Sequence, residues 1–130
     1  MEFVCDHLHL RSQDPDGAAK FYCDNFGASI KSVNPLSTTK SIRLELNGQP
    51  LMTISGKASG ENPLPGSTDP RYGLDHFGFT VDDLDAAAKV FRANHVHITC
   101  EPWTMPSGSR VAFIEAPDHV SIELLERRAT

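Results

Sequence analysis

The chain predicts an α+β fold of two βαβββ modules whose curved sheets enclose a shared cavity, and three observations carry that expectation. The first is an ungapped internal repeat. Asp6, His7, Asp14, Asp16, Ala18, Ala19, Lys20 and Asn25 recur 69 positions later as Asp75, His76, Asp83, Asp85, Ala87, Ala88, Lys89 and Asn94, and a fixed period marks a duplicated structural unit. The second is that each copy passes from strand-like alternation to a capped helical stretch and then to further short strand-like runs. The third is size: 130 residues bury one core but are short for two ordinary domains. A four-stranded sheet with a single helix leaves one face bare, so two such sheets are expected to pair.

The elements follow in order. From Phe3 to Arg11 the residues alternate, with Val4, Leu8 and Leu10 on one face and Cys5, His7 and His9 on the other, which is the period of a strand. Asp14 is the predicted N-cap of a helix with Pro15 at its first position, ending at Gly27. Strands are predicted at about 28–33, 41–46 and 51–55, the last two joined by Asn47-Gly48, a hairpin dipeptide. This makes residues 1–55 the first module. Residues 56–72 are rich in Gly, Ser, Asn and Pro, with Pro63, Pro65 and Pro70 opposing ladder pairing, and read as a linker or flap. The second module, 73–130, repeats the plan: a strand at 74–81, a helix from about Asp83 to Asn94, and strands near 97–102, 110–115 and 120–125.

Composition narrows the function. Twelve basic against 17 acidic residues give a net charge of −5, and no Lys/Arg cluster follows a phosphate backbone, so nucleic acid is not an expected partner. No apolar run approaches the roughly 20 residues of a spanning helix, and Met1-Glu2-Phe3 lacks the basic start of a secretion signal. A cytoplasmic protein without membrane partners is expected. Cys5, Cys23 and Cys100 are odd in number and widely spaced, which fits reduced thiols better than disulfides or a zinc knuckle.

The repeat also gathers chemistry. His7 and His76 hold equivalent places, and a shift of 70 sets Glu45 on Glu115 and Thr53 on Glu123. His7, His76 and Glu123 then form a candidate metal set, with Thr53 where a fourth ligand would stand. Two imidazoles and a carboxylate leave coordination positions open, as catalytic sites require. Taken singly, each of these residues also suits a solvated strand or terminus. His95, His97 and His119 lack this register and read as surface or turn residues.

The segments Asp-His-Leu-His-Leu-Arg (6–11), Ala-Ala-Lys-Phe-Tyr (18–22), Asn-Phe-Gly (25–27), Asp-His-Phe-Gly-Phe-Thr-Val (75–81) and Ala-Pro-Asp-His-Val-Ser-Ile-Glu-Leu-Leu-Glu (116–126) resemble the vicinal oxygen chelate superfamily. Its members include glyoxalase I, methylmalonyl-CoA epimerase, fosfomycin-resistance thiol transferases, extradiol dioxygenases and bleomycin-binding proteins. The resemblance covers nearly the whole chain and implies metal ligands at His7, His76 and Glu123. The fourth-strand position that is Glu in glyoxalase I and the epimerase is Thr53 here, and the turn usually written Pro-Asp-Gly is Pro117-Asp118-His119. With three protein ligands the set is nearer the thiol transferases and the iron dioxygenases. His9 shares a face with His7 while its copy is Gly78, so His9 is either a catalytic base or substrate contact, or a spare polar residue. Trp103, Met105, Phe113 and Arg110, with Arg43, are candidate substrate contacts, though each also suits core packing or a solvated edge.

The resemblance implies a homodimer, with ligands of one site drawn from both chains in many members. The expected function is that of a divalent-metal enzyme (iron, manganese, zinc, nickel or cobalt) binding two vicinal oxygens of a small substrate in a lyase or isomerase reaction. An Fe(II) ring-cleaving dioxygenase is the alternative reaction, and a metal-free protein sequestering an antibiotic-like ligand the alternative class.

Overall fold

A computed structural model describes residues 1–128. The chain divides into two compact units, Met1–Pro65 and the remainder from Gly66, and each is a βαβββ module. The first runs β1 (Leu8–Arg11), α1 (Pro15–Phe26), β2 (Ser29–Pro35), β3 (Lys40–Leu46) and β4 (Gln49–Ser55); the second runs β5 (Phe77–Thr80), α2 (Leu84–Ala93), β6 (Ile98–Thr104), β7 (Arg110–Ala116) and β8 (Val120–Glu126). Each unit holds a four-stranded mixed sheet, ordered β1-β4-β3-β2 and β5-β8-β7-β6. The parallel pairs are β1 with β4 and β5 with β8; the others are antiparallel. Gly56 to Tyr72 forms neither helix nor strand.

Both helices begin as their sequences demand. The Asp14 carboxylate accepts from the Gly17 N–H at 3.1 Å and the Asp83 carboxylate from the Ala86 N–H at 2.9 Å, each satisfying an otherwise orphaned donor. They end differently. Gly27 takes the left-handed conformation at φ 72° after α1, whereas after α2 Asn94 stays at φ −87° and His95 takes the positive value of 60°. Helix α1 packs on β2, β3 and β4, and α2 on β6, β7 and β8. The cores lie under the helices: Ala19, Tyr22, Ile42, Leu44, Met52 and Ile54 in the first unit, and Leu84, Ile114, Ile122 and Leu124 in the second, are all at most 1% exposed. Burying each of the larger apolar side chains contributes about 1.5–3 kcal/mol.

The strand edges differ from expectation at both first strands. β1 starts at Leu8 and β5 at Phe77, leaving Phe3, Val4 and Leu74 exposed at 90%, 87% and 74%. The register explains the first. Leu8 pairs with Met52, so continuing backwards would set Asp6 against Pro50, which has no N–H for the ladder. His7 and His76 therefore stand just outside their strands, each one residue before the first paired position. The Pro117–His119 turn reaches positive φ without glycine: Asp118 and His119 take φ 63° and 58°.

Candidate metal and substrate site

On the strand faces turned away from the helices, equivalent ladder rows can be compared directly. His9 pairs with Thr53, and Thr53 with Arg43; in the second unit Gly78 pairs with Glu123, and Glu123 with Phe113. The first row has large polar residues on β1 and β3, His9 and Arg43, whereas the second has one on β8, Glu123. Gly78 makes the second arrangement possible, because a Cβ there would stand 3.3 Å from the Glu123 Cβ and 3.4 Å from its Oε2. That is tighter than packed side chains ordinarily tolerate.

The space is used by a histidine and two carboxylates. His76 Nδ1 lies 2.7 Å from Asp75 Oδ2 and its Nε2 lies 3.3 Å from Glu123 Oε2. The Phe113 ring meets the imidazole edge-on with centroids 5.0 Å apart. With Nδ1–H donating to Asp75, the neutral ring turns an Nε2 lone pair toward a carboxylate oxygen. Two acceptors facing one another require positive charge between them, either a proton or a cation. The hydrogen bond that His76 donates to Asp75 is the main reason that this imidazole is held above its ordinary pKa; burial opposes it and Glu123 reinforces it. A cation also suits the spacing, since donors bound to one ion at about 2.0–2.2 Å stand roughly 3–3.5 Å apart. The Asp-His element is duplicated: His7 Nδ1 lies 2.7 Å from Asp6 Oδ2. A carboxylate behind an imidazole is the support that fixes a metal-binding tautomer. Among the described residues, no group of three His, Cys, Asp or Glu is assembled to hold a metal ion.

The remaining candidates divide between neighbours of the dyad and framework. Phe113 is brought to it. Thr53 is buried at 9% exposure opposite His9. Arg110 forms a two-pronged ion pair with Asp85, at 2.9 and 3.1 Å, tying β7 to α2. Trp103 is 48% exposed on β6, and Met105 opens the β6–β7 turn, bonding backbone to backbone with Ser109 and Gly108. His97 and His119 both face Glu115, Nδ1 to carboxylate oxygen at 3.4 and 2.8 Å. The three cysteines are free thiols, and among the described residues no helix is long and apolar enough to cross a membrane.

Sequence reasoning missed a recess of the first unit, of about 220 Å³, whose wall includes His9, Arg11, Thr38, Thr39, Ser55 and Glu61. His9 Nε2 lies 2.7 Å from Ser55 Oγ. Burial first, then the nearby charges of Arg11 and His7, lowers the His9 pKa. The signal available beforehand was that Ser55 falls two residues beyond Thr53 and so on the same face. The supporting aspartates were likewise visible as the duplicated Asp-His pairs.

Comparison with known proteins follows the geometry. The family described as the Glyoxalase/Bleomycin resistance protein/Dioxygenase superfamily matches residues 4–124. An uncharacterized Escherichia coli protein, YaeR, is 31% identical over 127 residues, covering 93% of this chain and 94% of its own. The lactoylglutathione lyase of Haemophilus influenzae is 29% identical over 134 residues, covering 95% of this chain and 93% of its own. Among solved structures, a glyoxalase family protein from Enterococcus faecalis superposes with a TM-score of 0.79 at 20% identity, covering 95% of this chain and 97% of its own.

Proposed function

Because the chain belongs to the glyoxalase/bleomycin resistance protein/dioxygenase superfamily, we propose that it is a divalent-metal enzyme catalysing a glyoxalase-like lyase or isomerase step. His7, His76 and Glu123 are the proposed ligands, and a homodimer the proposed assembly. The observation that carries this reading is the Asp75–His76–Glu123 arrangement, in which a tautomer-fixing carboxylate and a second carboxylate converge on one imidazole. When bound, the ion supplies Lewis acidity to two neighbouring substrate oxygens and stabilises the charge that develops on them.

The protein's own groups do the rest. Asp75 and Asp6 accept from Nδ1–H of their imidazoles and so leave Nε2 unprotonated. Thr53 offers no carboxylate to move a proton, so His9 takes that role, its ring oriented by the contact of Nε2 with the Ser55 hydroxyl. The similarity to a lactoylglutathione lyase at 29% identity supports the lyase reading. The three-ligand set left by Thr53 favours a second one, an Fe(II) dioxygenase.

Two assays separate them. With Ni(II) or Zn(II), hemithioacetals of methylglyoxal are expected to turn over, and His76→Ala to abolish that turnover. Oxygen consumption with catechols and Fe(II), without hemithioacetal turnover, would overturn the lyase reading.

A further inference from the structure

The two sheets differ most where a duplicated fold has no reason to differ. In the row beyond His9, Arg11 pairs with Ser55 and Ser55 with Ser41. The corresponding row of the second unit is Thr80, Leu125 and Val111. Both rows close equivalent βαβββ sheets, so the fold itself does not call for the polar one. Arg11 and Ser55 of this row line the recess instead, and the adjoining wall adds Ser37, Thr38 and Thr39.

The charges of this recess are already satisfied internally. Of its lining residues other than His9, only Arg11 and Glu61 are ionisable. Arg11 Nη2 donates to Glu61 Oε1 at 2.5 Å, and its Nε donates to the Gly56 carbonyl at 3.2 Å. The same Glu61 oxygen accepts from the Ala58 N–H at 2.7 Å, so the carboxylate is anchored from two sides. An incoming carboxylate meets the negative charge of a tethered rival, whose effective concentration is on the order of millimolar. An uncharged hydroxyl or carbonyl group displaces no ion pair and uses the capacity left on Ser55, Thr38 and Thr39, whose hydroxyls already meet His9 Nε2, the Lys57 carbonyl and the Gly56 N–H. At about 220 Å³ the space lies below the roughly 300–1,000 Å³ of pockets for drug-sized ligands, which matches a few-carbon group.

We propose that this recess binds an uncharged, hydroxyl- or carbonyl-bearing arm of the substrate through Ser55 and the neighbouring threonine hydroxyls, with the Arg11–Glu61 pair excluding carboxylate-bearing competitors. The word substrate rests on the reading given above; the binding site itself does not.

Two small probes of similar size test it, dihydroxyacetone and lactate, followed by amide chemical shifts of Thr39, Ser55 and Gly56 in the whole protein. Dihydroxyacetone is expected to move these signals and to bind about fivefold more tightly than lactate. Ser55→Ala weakens dihydroxyacetone binding about fivefold, as the loss of one hydrogen bond does. Glu61→Gln strengthens lactate binding about fivefold and leaves dihydroxyacetone unchanged. Wild-type preference for lactate, absence of these shifts with both probes, or indifference to Ser55→Ala would overturn the proposal.

In His76→Ala the shifts at Ser55 and Gly56 are expected to persist; their disappearance would mean that the probe is held elsewhere, and overturns the proposal too. Metal content measured on the same samples keeps the two readings apart. Metal-free protein with the expected shifts refutes the enzyme reading and upholds the recess. Metal-loaded protein without them refutes the recess alone.

Discussion

Across the first sheet one ladder row reads His9, Thr53, Arg43, and across the second the same row reads Gly78, Glu123, Phe113. The backbone pairing is the same, yet the first row has His9 and Arg43 flanking the small Thr53, whereas the second has Glu123 between Gly78 and Phe113. In the second unit Glu123 reaches back over a glycine to the histidine that precedes the strand. In the first, His9 turns to Ser55 instead. The Asp-His element ahead of each strand is shared, with the same 2.7 Å contact. What the pair teaches is that duplication preserved the support for an imidazole in both copies, while the group beside it diverged, anionic in one and neutral and hydroxyl-rich in the other.

The equivalence of the two Asp-His elements gives the largest expected effect. If both imidazoles are ligands, Asp6→Asn and Asp75→Asn each weaken metal binding about ten- to hundredfold, measured by competition with a chelating dye. A loss confined to Asp75→Asn would break the equivalence and leave His7 without a ligand role.

The exchange of large and small residues comes next. Gly78→Ala forces a methyl against Glu123 and is expected to cost about 1–3 kcal/mol in a denaturant titration, with weakened metal binding. His9→Gly in the first unit meets no such crowding, and its cost is expected to stay near the 1 kcal/mol of a glycine in a strand and one lost hydrogen bond. Equal costs would show that Gly78 is not shaped around Glu123.

A third contrast lies in the turns. Asp118 and His119 hold left-handed angles before β8, and His119 donates to Glu115, which His97 also approaches. The bond from His119, aided by His97, holds the Glu115 carboxyl below its usual 4.5. A carboxyl lowered on folding contributes stability above its unfolded pKa and loses it as pH falls through the folded value. Glu115→Gln should therefore cost about 1 kcal/mol at neutral pH and almost nothing once pH is well below 4, read from thermal melts across that range. A pH-independent cost would assign Glu115 a packing role alone.

The smallest effect is at the helix ends. Gly27 takes its left-handed angle freely and His95 does not, so His95→Gly is expected to stabilise by about 0.5 kcal/mol, the relief of strain less the added freedom of the unfolded chain. A destabilised variant would mean that the His95 side chain makes contacts worth more than its strain.

Much of this was legible in the chain. The repeat beginning at Asp6 and Asp75 announced two like modules, and Asp14, Asp83 and Asn47-Gly48 marked helix starts and a hairpin because their effects act over a few residues. The start of β1 was not legible, since it depends on Pro50, which meets that edge only after the sheet has formed. Nor was the recess, where Arg11 and Glu61 are 50 residues apart in sequence. The Asp-His pairs were visible as letters, but that Nδ1 faces the preceding carboxylate is a matter of rotamer. Arg110 reads in sequence as a candidate substrate contact, and its partner Asp85 comes from a helix face whose docking no local pattern reveals.

Glu123 and His76 are proposed to share a cation, and metal analysis of protein purified without chelator tests this most directly. About one divalent ion per chain is predicted for the wild type, with loss of stoichiometric metal in Glu123→Ala and no loss in Thr53→Ala. A wild-type protein free of metal, or a Glu123→Ala variant that keeps its full complement, would contradict it.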